Sequence, residues 1–294
     1  MKQKLKTLLH RDGPWAFILL LPSILGFFIF VLFPVVASFL ISFTSWDLLT
    51  PIKWVGFENY LNLFKDETFI KVLWNTLYFT AVTVPIGIII SLFLAVALNQ
   101  KIRFIKFYRA AYFLPVISSM VAVAVIWQWI YNPEYGLLNF ILGLFGIDGP
   151  SWLSDAKWAM PAVMITSIWK GLGFNMLIFL AGIQGISESY YEAADIDGAT
   201  WFKKFIHITV PLLRPTTFFV TVMAIIGSFQ VFDAVFLLTQ GGPARSTSVL
   251  VHYLYQNGFE YFQMGYASAM AYILFFLVLA FTLIQFTLQK RREE

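Results

Sequence analysis

Two ionisable residues stand inside apolar stretches: Lys170 in "ITSIWKGLGFNMLIF" and Asp233 in "GSFQVFDAVFLL". A charge at bilayer depth costs about 2.5–3.5 kcal/mol on insertion scales, so each needs a partner or a water-lined cavity. Asn175 and Gln230 accompany them and carry both donors and acceptors suited to sugar hydroxyls. Two readings are open for these four residues. They line a path for a polar solute, or they are interfacial groups satisfied by neighbouring helices. An ion pair between Lys170 and Asp233 is compatible with either. Trp127, Trp129 and Trp169 are open in the same way, because indole faces suit sugar rings but also anchor helices at membrane interfaces.

Sets of residues able to break covalent bonds are missing. There is no G-x-x-x-x-G-K-[ST] loop to hold a nucleotide's phosphates, and Gly241-Gly242-Pro243 lacks the lysine. His10, His207 and His252 have no metal-ligand spacing, and no serine sits in a G-x-S-x-G setting. With no cysteine, the chain has neither thiol chemistry nor a disulfide framework. The expectation is a non-catalytic protein that binds no metal or cofactor.

The elements that would position these groups are membrane helices. Only 12% of the 294 residues are charged while 59% are hydrophobic, against roughly a quarter charged in a soluble domain. Six stretches supply the ~20 apolar residues that a spanning helix needs: 15–42, 72–98, 110–129, 159–182, 215–238 and 267–286. The first is too long for a signal-peptide core and is read as retained. The fourth contains Lys170, and the positive-inside bias decides for it. With six spans, fourteen Lys and Arg residues lie inside and five outside; without the fourth, nine lie inside and eleven outside. Both termini are therefore expected in the cytoplasm, and the +4 net charge calls for lipid headgroups, not nucleic acid. The partition is a tail at 1–14, a first span with its outer segment at 15–71, a core at 72–289 and a tail at 290–294.

One inner segment, "SYYEAADIDGATWFKKF" at 189–205, is strongly polar. Ser189 and Glu192 fit a capping box, and Gly198 fits the left-handed residue that ends a helix. A second short helix is expected from about Thr200 to His207, stopping before Val210 and Pro211. Tyr191, Ala194 and Gly198 fall on one side as a low ridge with Glu192 and Asp197 nearby. Helices this short need something to pack against, either their own bundle or another protein.

"EAADIDGATWFKKFIHITVP" resembles the EAA loop of ABC importer permeases, whose pattern is E-A-A, three residues, G, nine residues, I, one residue, L-P. Val210 replaces the usual leucine. "FLLTQGGPARSTSVLVHYLYQNGF" and "MGYASAMAYIL" resemble the C-terminal part of the sugar-type permeases, including those for maltose-like oligosaccharides and glycerol 3-phosphate. The resemblance implies an all-α membrane fold of the type I importer class, six helices with a cytoplasmic coupling helix at 187–211. It implies that Glu192, Ala193, Ala194, Asp197 and Gly198 dock on a separate ATPase carrying ATP and Mg. It further implies a second homologous permease, two ATPase subunits, an extracytoplasmic solute-binding protein and a sugar cargo, in a prokaryotic inner membrane. An ion-gradient-driven secondary transporter is the alternative, for which Pro85, Pro115 and Gly171/Gly173 would mark broken helices.

Overall fold

A computed structural model describes residues 12–100 and 103–293. Lys2, Lys4, Lys6, Arg11, Lys101 and most of the 1–14 tail lie outside the described residues. The chain forms two compact units. One runs to Lys65 and adds Gln256–Tyr272; the other comprises Asp66–Tyr255 and the chain from Ile273.

In the first unit, α1 (Asp12–Phe27) passes through one π turn into α2 (Phe33–Ile41). The apolar length Leu19–Ile41 buries nothing within the chain, as expected of a helix solvated by lipid tails. A short antiparallel pair follows, β1 (Thr44–Ser45) with β2 (Lys53–Trp54), in the register Thr44↔Trp54 and Ser45↔Lys53. Then comes α3 (Glu58–Lys65). Asn59 Nδ2 donates to the carbonyls of Ser42 and Thr44 at 2.8 and 2.9 Å, satisfying backbone that the end of α2 leaves open.

The second unit is built on two long helices, α4 (Glu67–Leu98) and α8 (Ala159–Gln184). Asp66 caps α4 by accepting from the Thr68 N–H at 2.8 Å. Between them lie α5 (Ile105–Ile117), α6 (Met120–Ile130) and α7 (Leu137–Leu144). After α8 come α9 (Glu188–Ile196), α10 (Trp201–Lys204), a π turn at Phe205–Thr209, α11 (Val210–Leu212), α12 (Arg214–Phe229), α13 (Asp233–Leu238) and α14 (Leu250–Tyr255). The last helix, α15, runs Met264–Glu293.

Among the described residues, four helical lengths can cross a membrane unbroken: Leu19–Ile41, Glu67–Leu98, Ala159–Gln184 and Met264–Lys290. Two bent pairs bring the number to six. The predicted third span is broken at Ser118–Ser119, where α5 and α6 diverge by 102°. The predicted fifth span ends at Phe229, not Leu238: α13 turns away to bury Ala234, Val235 and Leu238 against Ala124 of α6 and Met160 of α8. Pro85, Gly171 and Gly173 do not break their helices; only Pro115 stands close to a break.

Two apolar clusters hold the second unit together. One gathers Phe79, Val163 and Met164 with the buried face of α13; the other gathers Ala95, Leu98, Met176, Phe179 and Leu213. Two glycines of α8 let neighbouring helices approach closely. A Cβ on Gly173 would lie 2.1 Å from the Tyr112 carbonyl oxygen, and one on Gly182 would lie 2.6 Å from Thr216 Oγ1.

Candidate functional site

The 187–211 segment is a hinged pair of short helices. Helix α9 ends in a Schellman turn: Gly198 N–H donates to the Asp195 carbonyl at 3.1 Å and Ala199 N–H to the Ala194 carbonyl at 2.9 Å. Gly198 holds φ +67°, the left-handed conformation expected of it. The start differs from expectation. Ser187 is the N-cap, with extended backbone and no side-chain cap, and Ser189 lies within the first turn. Its hydroxyl meets Ser187 Oγ at 2.8 Å, so no capping box forms with Glu192.

Helix α10 is capped by Thr200 Oγ1, which accepts from the Lys203 N–H at 3.4 Å. The helix does not stop before Pro211 as predicted. The π turn inserts first, with Val210 N–H donating to the Phe205 carbonyl, and Pro211 enters the first turn of α11, where a missing N–H costs little. Lys204 and Asp195 close an ion pair at 2.7 Å from α10 to α9. Tyr191 OH and Thr209 Oγ1 hydrogen-bond at 3.0 Å, and Phe205 stacks on Phe93 of α4 at 5.9 Å. The hinged pair is therefore fastened to the bundle at its inner face.

That fastening decides which predicted residues are free. Tyr191 and Ala194 are half-buried toward their own chain, so the ridge expected from them is not the outer one. Glu192, Ala193, Asp197 and Gly198 are exposed, and beside them Ile196 is 88% exposed. Sequence reasoning passed over Ile196. The signal was there, an isoleucine between two aspartates on an otherwise polar face.

The second feature is a cavity of about 260 Å³ where α4, α8 and α12 leave a gap between the two apolar clusters. Gly87, Gly171 and Gly227, one from each helix, line it, and a Cβ at any of them would meet nothing within 4 Å. Its polar groups are Thr83, Ser167, Asn175 and Ser228. Thr83 Oγ1 donates to the Phe79 carbonyl at 2.7 Å and Ser228 Oγ to Thr80 Oγ1 at 3.0 Å, leaving oxygen lone pairs to accept. Ser167 Oγ is buried without a partner among the described residues.

Of the four path candidates, only Asn175 reaches this cavity. Lys170 is half-buried, and its ammonium donates to the carbonyls of Pro115 and Ser118 at 3.1 and 2.9 Å. It thus closes the C-terminal end of α5 at the bend, where a cation also meets the negative end of the helix dipole. It forms no pair with Asp233, which is exposed at the start of α13; Gln230 is exposed just beyond α12. Trp127 packs edge-on against Trp169 at 5.5 Å, a packing role. Thr83, Ser167 and Ser228 were missed. Ser167, Gly171 and Asn175 at i, i+4 and i+8 form a polar stripe on one face of an apolar helix, the signal that would have found them.

The family described as binding-protein-dependent transport system inner membrane component matches residues 71–294. The arabinooligosaccharides transport system permease protein AraP of Bacillus subtilis (strain 168) is 37% identical over 270 residues, covering 91% of this chain and 86% of that one. The lactose transport system permease protein LacF of Rhizobium radiobacter is 35% identical over 299 residues, covering 99% and 98%. A chain of a bacterial ABC transporter that imports the acidic polysaccharide alginate superposes with a TM-score of 0.86 at 27% identity, covering 98% of this chain and 99% of that one.

Proposed function

The chain belongs to the family of binding-protein-dependent transport system inner membrane components, and from that premise we propose that it forms one half of an alternating-access path for a sugar or sugar derivative, worked by a separate ATPase. The exposed face of α9, with Glu192, Ala193, Ile196, Asp197 and Gly198, is the docking surface, and Ile196 is its apolar anchor. A second homologous permease completes the path, two ATPase subunits bind ATP and Mg, and an extracytoplasmic solute-binding protein delivers the cargo. Both termini and the docking segment face the cytoplasm.

The observation that carries this reading is the fastening of α9. Tyr191–Thr209 closes the segment on itself and Phe205–Phe93 ties it to α4, while its outer face is left bare. A displacement imposed on that face passes into α4 through packed rings, because closely packed groups transmit strain. The chain itself then needs no covalent chemistry.

Because the chain has no cysteine, a single Asp197→Cys gives a clean probe. It should label with a membrane-impermeant maleimide only from the cytoplasmic side and cross-link to the ATPase subunit of the assembled transporter. Labelling from the outer side would refute the placement.

A further inference from the structure

Helix α7 (Leu137–Leu144) turns a hydrocarbon face outward. Phe140 and Leu144 are 64% and 69% exposed, Leu137 and Ile141 beside them less so, and Phe145 continues the face at 76%. Leu137, Phe140, Ile141 and Leu144 follow the i, i+3, i+4, i+7 spacing of one helix side. Asn139 is the only polar side chain of the helix, and it is spent within the chain. Its Nδ2 donates to the carbonyls of Pro133 and Pro150 at 3.0 and 3.2 Å, and its Oδ1 accepts from Trp152 Nε1 at 2.7 Å. The end of the helix is closed as well, with the Gly146 N–H on the Gly143 carbonyl at 3.0 Å and the Ile147 N–H on the Leu142 carbonyl at 3.1 Å. The outward side chains therefore carry no donor or acceptor.

The chain on either side sets the level of this face. Helix α6 ends at Ile130 and α8 begins at Ala159. Around those two ends gather Trp127, Trp129, Tyr131, Tyr135, Trp152 and Trp158, the aromatic belt of a membrane interface. Trp152, which holds Asn139, also packs on Tyr131 at 5.8 Å and on Trp158 at 5.3 Å, so α7 is fastened at the belt. No charged residue occurs between Glu134 and Asp148, which bracket the helix. A protein partner would bring about one hydrogen bond per 100–200 Å² of interface, and this face has no group to answer it. Acyl chains ask for none. We propose that α7 lies in the plane of the membrane interface, with Leu137, Phe140, Ile141 and Leu144 inserted among the acyl chains of the outer leaflet, so that the surface it fits is lipid. The inference goes beyond the importer reading and takes from it only which leaflet is the outer one.

The test places one nitroxide at a time at Phe140→Cys, Leu144→Cys or Glu134→Cys, in the transporter assembled in liposomes with partner subunits stripped of cysteine. The collision probes are oxygen, which concentrates among acyl chains, and the water-soluble nickel complex Ni-EDDA. Labels at Phe140 and Leu144 should collide mainly with oxygen, at a depth of about 5–10 Å within the headgroup and acyl boundary. The label at Glu134 should collide mainly with nickel. Nickel access at Phe140 and Leu144 equal to that at Glu134 puts α7 in water and overturns the proposal. Weak collision with both probes shows protein packed on the face, and loss of oxygen collision on adding the solute-binding protein gives the face to that protein. Either result overturns the proposal too. Ile141→Cys takes the place of a variant that fails to assemble. An impermeant maleimide on Glu134→Cys fixes the leaflet separately. Labelling from the cytoplasmic side alone counts against the orientation given above, whereas the oxygen and nickel collisions decide insertion in either orientation.

Discussion

The ammonium of Lys170 donates to the Ser118 carbonyl at 2.9 Å, across the point where α5 and α6 turn through 102°. A lysine in the middle of an apolar helix invites a functional reading, and the geometry gives it a structural one. It supplies the donors that α5 loses when its own continuation departs.

Lys170→Met keeps the side-chain length and removes those donors. Carbonyls left without a partner cost about 1–3 kcal/mol, so thermal unfolding in nanodiscs should shift downward. Lys170→Arg should retain most of the stability, because its guanidinium still donates. Equal stability of Met and Lys at this position would show that the bend does not depend on the cap.

Gly171 and Gly173 stand two residues apart on α8 and predict opposite outcomes. Gly173→Val places carbon where the Tyr112 carbonyl already stands. Overpacking of that kind costs about 1–3 kcal/mol, and the variant should accumulate poorly. Gly171→Val meets nothing within 4 Å, so it should fold normally and lose transport by filling the cavity. Expression level and uptake, measured together, separate the two.

His252 is buried beside the loop that follows α13. Its Nδ1 meets Ser248 Oγ at 3.1 Å, and a Cβ on Gly241 would lie 2.6 Å from its ring. Burial first and the Arg245 charge second lower its pKa from the ordinary 6.5. The folded loop therefore binds a proton less readily than the unfolded chain does. Its full stability is present above pH 6.5 and declines as pH falls toward the lowered value. Protection factors of the amides in residues 239–255, taken relative to the intrinsic exchange rate at each pH, should fall as pH drops from about 7.5 to 5.5, and His252→Gln should remove that fall.

Much of the fold was legible because membrane helices announce themselves by length. The spans centred on α4, α8 and α15 match the sequence reading within a few residues. What could not be read was where apolar continuity hides a turn. Ser118–Ser119 interrupts its span with no charge or glycine beside it, and at Gln230–Phe232 the adjoining Asp233 reads in sequence as a charge at membrane depth, not as the start of a new helix. Packing of α13 onto α6 and α8 decides the second break, and that is a tertiary fact. At the docking segment, Gly198 was legible because only a left-handed residue completes the turn. The role of Ser189 was not, since Ser187 offers the same chemistry two residues earlier. The cavity was hardest to foresee. Its defining groups are small residues on three different helices, and ionisable side chains drew attention away from them.

The central claim is that α9 receives mechanical work from a partner ATPase, and Gly198 tests it most directly. Placing a side chain in its left-handed conformation costs about 1–2 kcal/mol, enough to distort the Schellman turn without touching the membrane helices. The decisive measurement is the ratio of solute imported to ATP hydrolysed by the reconstituted Gly198→Asp transporter. The protein should insert as the native chain does, while that ratio falls about tenfold, the equivalent of ~1.4 kcal/mol. A native ratio with normal uptake would contradict the account.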